Sequence, residues 1–184
     1  MRLHPTSFAA LALAFGATAS AAEFTLTSPQ LTEGGSLGPA QVLEGFGCHG
    51  GNTSPALAWS GAPAGTRSFA ITVHDPDAPT GSGWWHWVVH GLPASVTGLP
   101  AGAGATGGPA LPAPAVQGRT DFGPPGFGGA CPPAGDAPHR YRFTVHALKV
   151  DHLELPADAS PAMVGFFLTM NRLGQATLEA RYGR

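Results

Sequence analysis

The 184-residue chain is expected to fold as one antiparallel β domain that ends in a helical segment. Three observations predict this. Short apolar runs alternate with polar residues along the chain, and turns drawn from 27 Gly and 19 Pro separate them. A helical period shows only after Ser160. Charged residues make up just 11% of the composition, against roughly 25% in an average protein. They form no block and no basic stripe, and the net charge is -2, so nucleic acid is not an expected partner.

The first stretch, "MRLHPTSFAALALAFGATASAAEF", is not read as part of the fold. Arg2 near the start, an apolar run from Phe8 to Ala17 and small residues in "TASAA" make a secretory signal pattern over residues 1–22. Cleavage is expected after Ala21 or Ala22. The apolar run is short for a bilayer span, which needs about 20 residues. The mature domain, residues 23–184, is therefore expected to be exported, periplasmic or secreted, with no stable membrane insertion.

"EFTLTSP" alternates and predicts a first strand. Further strands are expected around Leu57–Trp59 and Ser68–His74, parted by the turn "GAPAGT". "HWVVHGL", from His86, is apolar on both faces and predicts a strand covered on both sides. Residues 98–135 have no period, apart from a short strand expected within "VQGRTDFG". The strongest strand signal is "HRYRFTVHALKV", residues 139–150, with Tyr141, Phe143, Val145 and Ala147 on one face. Ser160 and Pro161 sit where a helix cap and a first-turn proline belong. Met163, Phe166, Phe167 and Met170 then recur at helical spacing and are expected to pack in the core. "GQATLEARYGR" reads as a terminal strand or as an irregular tail packing Tyr182.

Export gives the two cysteines, Cys48 and Cys131, the reading of a disulfide. The chemistry-bearing residues concentrate in "HDPDAPTGSGWWHWVVHG", residues 74–91. Pro76 and Pro79 stiffen the bend that carries Asp75 and Asp77. His86 lies on a strand between Trp85 and Trp87, and strict alternation would point it away from both. None of the familiar metal-ligand spacings occurs, and Ser82 lacks the nucleophile-elbow pattern. No metal, no cofactor and no enzymatic activity are expected. Carboxylates that orient imidazoles, with Trp85 and Trp87 as apolar walls, fit a pocket for a small polar ligand.

"HDPDAP", "GSGWWHW" and "PPAGDAPHRY", in that order, resemble the phosphatidylethanolamine-binding protein family, also called Raf kinase inhibitor-like proteins. "GFGCHGGNTSPALAWSGAPAGTRSFAITV" and "TDFGPPGFGGACPP" are similar to its bacterial YbhB/YbcL-type branch. The resemblance implies a mainly-β fold: an antiparallel β-sandwich with Greek-key connections and a C-terminal helical segment. It also implies a small pocket for anions such as phosphate or phospholipid head groups. By motif, the ligand-binding residues fall on Asp75, Asp77, His86, Pro133, His139 and Tyr141. The expected partner is thus a small anion, phosphate or phosphoethanolamine-like. An inhibitor of a protease or kinase, another protein-interaction factor with an unidentified partner, and a weak hydrolase are the alternatives. The two acids are expected to raise the pKa of His86 and His139, so that imidazolium groups meet the anion.

Overall fold

The computed structural model describes residues 1, 22–105 and 111–184. The secretory-signal reading of residues 1–22 lies almost wholly outside them. Ten strands and one α-helix are present among the described residues. They are β1 (Thr25–Thr27), β2 (Glu44–Gly45), β3 (Cys48–His49), β4 (Leu57–Ser60), β5 (Ser68–Asp75), β6 (Trp84–Pro93), β7 (Gly98–Leu99), β8 (Val116–Gln117), β9 (His139–Leu148), α1 (Pro161–Asn171) and β10 (Arg172–Tyr182).

Two antiparallel sheets form the sandwich. The larger has the order β10-β9-β5-β6-β8, the smaller β1-β4-β7, and β2-β3 form a separate hairpin. β9 lies between β5 and β10, so the chain crosses over after β8 to reach it. Alternation places Phe69, Ile71 and Val73 of β5 and Tyr141, Phe143 and Val145 of β9 on the inner face, where Leu26 and Trp59 of the smaller sheet meet them. The Trp59 ring stands edge-on to Phe69 with centroids 5.4 Å apart. The C-terminal segment is a full strand, paired with β9 from Tyr182 opposite His139 to Arg172 opposite Leu148.

The outer face of the large sheet is covered by α1. The hydroxyl of Ser160 accepts a hydrogen bond from the Met163 amide (3.2 Å), and Pro161 opens the first turn. The side chains that α1 buries are Pro161, Val164 and Leu168. Val164 and Leu168 pack on Ala70, Val88 and Leu148. This corrects the expected core stripe for three of its four residues, while Phe167 is half-buried and packs against this cluster. Met163, Phe166 and Met170 are exposed, at 42%, 62% and 59%. The helix carries no charged residue. Its apolar period therefore runs around the whole cylinder and does not mark which face turns inward.

Candidate functional site

The site is a cavity of about 260 Å³ at one end of the large sheet. Its floor comes from three neighbouring strands. β5 ends at Asp75, β6 begins at Trp84 and carries His86, and β9 supplies His139 and Tyr141. Phe46, Phe122, Pro132 and Pro133 close its sides.

Asp75 is held by its own bend. Its Oδ1 accepts the amides of Asp77 (2.8 Å) and Ala78 (3.1 Å), the local turn that a short acid forms two and three residues ahead of itself. Oδ2 faces Nδ1 of His139 at 2.7 Å, and both side chains are buried. Nε2 of His139 lies 3.4 Å from Oδ2 of Asp136.

His86 reaches the cavity through an irregularity in β6. Trp87 pairs with Val73 and Trp85 with His74, which leaves His86 as the extra residue. A bulge of this kind re-aims side chains. Its effect is that Trp87 joins His86 on the inner side instead of opposing it, and Trp87 is fully buried in the sandwich core. His86 is then clamped by one residue. Its backbone carbonyl accepts the Gly128 amide (2.9 Å), and its Nδ1 donates to the Gly128 carbonyl (2.7 Å). Burial lowers its pKa to about 4 despite the favourable carbonyl and the Asp75 charge. The expected imidazolium at this position is therefore corrected: desolvation outweighs the nearby acid, and the ring is neutral near pH 7.

Tyr141 and Trp84 complete the polar lining. The Tyr141 hydroxyl and the Trp84 indole N–H are buried and have no hydrogen-bond partner among the described residues. Burial, then the Asp75 charge, pushes the Tyr141 pKa up, so the hydroxyl keeps its proton.

Asp75, His86, Pro133, His139 and Tyr141 thus line one cavity. Three further expected residues do not. Asp77 turns away from it and binds Arg140, accepting from the backbone amide (2.8 Å), Nε (2.8 Å) and Nη2 (2.6 Å). These bonds, led by the guanidinium, hold its carboxyl near a pKa of about 2. The fixed bend allows one acid to face inward and sends the next-but-one residue along the strand edge. Trp85 lies on the outer face against His74, ring centroids 4.3 Å apart. Trp87 donates its indole N–H to Gln117 Oε1 (2.7 Å) inside the core. The tryptophan that forms a wall is Trp84, on the same side as Asp75 across the β5–β6 pair.

Other contributors come from segments without a period. Asp121 accepts the Trp85 amide (2.8 Å) and so places Phe122, whose ring stands edge-on to His86 at 5.3 Å. Asn52, in the left-handed region at φ 46°, ties down the Gly128 loop by donating to Phe127 O and accepting from Gly129 N. Gly128 itself is required, because a Cβ there would run into the Phe122 ring. A disulfide joins Cys48 of β3 to Cys131, which borders the cavity. Arg184 donates to the carbonyls of Pro132 (2.8 Å) and Gly47 (3.0 Å), spanning the same two segments. Among the described residues no cluster of three or more His, Cys, Asp or Glu is arranged to hold a metal ion.

Comparison with known proteins places this geometry in a family. The chain is 54% identical over 165 residues to UPF0098 protein YbcL of Escherichia coli K12, covering 90% of each sequence. It is 50% identical over 157 residues to UPF0098 protein YbhB of the same organism, covering 85% of this chain and 98% of the relative. The crystal structure of E. coli YbcL, described as a new member of the mammalian PEBP family, matches with a TM-score of 0.86 at 55% identity, over 89% of this chain and 99% of that one. The family model described as phosphatidylethanolamine-binding protein matches residues 27–183. The chain belongs to the phosphatidylethanolamine-binding protein family.

Proposed function

We propose that the protein is a non-enzymatic binding module for a small oxyanion, phosphate or the phosphate of a phospholipid head group, and that it works outside the cytoplasm. The observation that carries the reading is the pair of buried donors, Tyr141 O–H and Trp84 N–H, left without partners on the lining of the cavity. A buried donor without an acceptor costs about 1–3 kcal/mol, and an anionic oxygen removes that cost. The volume, about 260 Å³, suits a head group. Aromatic and proline walls exclude water, which strengthens the few polar contacts inside.

The absence of turnover is supported by the nucleophile candidates at the wall. The Thr80 hydroxyl donates to the Gly83 carbonyl, and Cys131 is tied up in the disulfide. The disulfide and the leader pattern of residues 1–22 support export. Titration calorimetry with inorganic phosphate and with phosphoethanolamine tests binding, and release of free phosphate from phosphoethanolamine tests catalysis. Saturable binding without release is the expected result. Heat-silent titrations that also leave the melting temperature unmoved, or steady phosphate release, would overturn the reading.

A further inference from the structure

The geometry points to Phe46 as the residue against which the organic part of the ligand lies, so the cavity prefers a phosphate ester, mono- or diester, with an apolar group next to its phosphate over free phosphate. This rests on the reading that the cavity takes phosphate-like groups, and it names what those groups are attached to.

The argument begins with a turn. Gly45 pairs with Cys48, so Phe46 and Gly47 alone join β2 to β3. Both have positive φ, 52° and 80°. Two-residue hairpin loops of that kind favour Asn-Gly, Asp-Gly or Gly-Gly. Phenylalanine in the left-handed region is a costly choice, because its Cβ crowds the following carbonyl oxygen. The side chain is also 77% exposed, so the core does not explain it either. Strain that persists beside a cleft points to a use there.

What the ring borders supplies that use. Phe46 lines the cavity with Phe122, Pro132 and Pro133. Its ring stacks on Phe122, with centroids 6.1 Å apart and 26° between the planes. Phe122 in turn stands edge-on to Trp84 at 5.4 Å and to His86 at 5.3 Å, and His86 stands edge-on to Tyr141 at 5.2 Å. A continuous run of rings thus leads from the two unpartnered donors, Tyr141 O–H and Trp84 N–H, out to an exposed apolar rim. The hairpin tip is held at that rim by the Cys48–Cys131 disulfide and by Arg184, which donates to the Gly47 carbonyl (3.0 Å). Among the described residues that line the cavity there is no Lys or Arg, and Asp75 brings a carboxylate. Charge attraction for free phosphate is therefore weak, whereas covering the rim adds affinity in proportion to the apolar area removed from water. The phosphate oxygens meet the buried donors, and the carbon chain that leaves the phosphate passes over Phe122 and Phe46.

Two pairs of probes isolate the apolar group: inorganic phosphate against n-hexyl phosphate, and glycerophosphoethanolamine against monomeric dihexanoylphosphatidylethanolamine. In titration calorimetry on the wild-type protein the chain-bearing member of each pair should bind at least about tenfold tighter, which covering about 55 Å² of apolar surface provides. Phe46→Asn supplies a residue that the turn favours and removes the ring. It should melt at or above the wild-type temperature and lower the hexyl-to-inorganic phosphate affinity ratio at least about fivefold. A variant that melts several degrees lower would mean that Phe46 serves the fold, and an unchanged ratio would mean that the chain lies elsewhere; either overturns the inference. Chain-bearing and chain-free probes binding the wild-type protein within about twofold of each other would also overturn it and leave the oxyanion reading standing. Binding of none of the four compounds would overturn both.

Discussion

Replacing Tyr141 by Phe should make the protein more stable and a poorer binder at once. Tyr141 is 1% exposed and its hydroxyl has no partner among the described residues. The Phe ring keeps the packing of the inner face of β9 and removes only the unsatisfied group. Relief of a stranded buried hydroxyl amounts to about 1–3 kcal/mol. In a domain of this size each kcal/mol moves the melting temperature by about 2–4 °C. The unliganded variant is therefore expected to melt about 2–12 °C higher. Against a charged acceptor the lost hydrogen bond is worth about 1.5–3 kcal/mol, roughly a 10- to 150-fold weaker Kd. Scanning calorimetry without ligand and titration calorimetry with phosphoethanolamine measure the two effects separately. A lower melting temperature together with an unchanged Kd would mean that the hydroxyl serves the fold and not the ligand, and the argument for the site would fail.

Other outcomes follow from the same geometry. His86 has a folded pKa of about 4, well below the ordinary histidine value of 6.5. As pH falls from about 6.5 to 4 the unfolded chain takes up this proton first, so stability declines across that window by about 3 kcal/mol. His146, likewise buried and pushed down to about 3, adds to the decline. Denaturant midpoints at pH 7 and pH 4 report it, and equal midpoints would contradict a neutral buried His86. Asp77→Ala should lower the melting temperature by about a few degrees, through loss of its bonds to Arg140. It should leave phosphoethanolamine affinity within about twofold, and a large loss of affinity would return Asp77 to the site.

Much of the frame was legible in the chain. Alternation over residues 139–148 sorted Tyr141, Phe143 and Val145 onto the inner face, because a strand with one buried side must repeat every two residues. Ser160 and Pro161 marked the helix start for a local reason that needs no tertiary partner. The helix face could not be read, since apolar residues surround it and only the sheet beneath selects Val164 and Leu168. The orientation of Trp87 was hidden for a different reason. A bulge is a property of a pair of strands, and residues 84–93 alone do not say that Val73 will skip His86. Asp75 and Asp77 are equivalent as text in "HDPDAP", and Arg140, more than sixty residues away, separates their roles. Phe122 and Asn52 sit in stretches without any period, and contacts across the fold define their parts.

The covalent link between Cys48 and Cys131 spans 83 residues. That span contains β4, β5 and β6, so two of the three strands that floor the site are strung inside a closed ring of chain, while β9 lies outside it. Closing that ring withdraws two electrons from the thiols, and the bond fastens the segment of Cys131, at the border of the cavity, to the hairpin of β2 and β3.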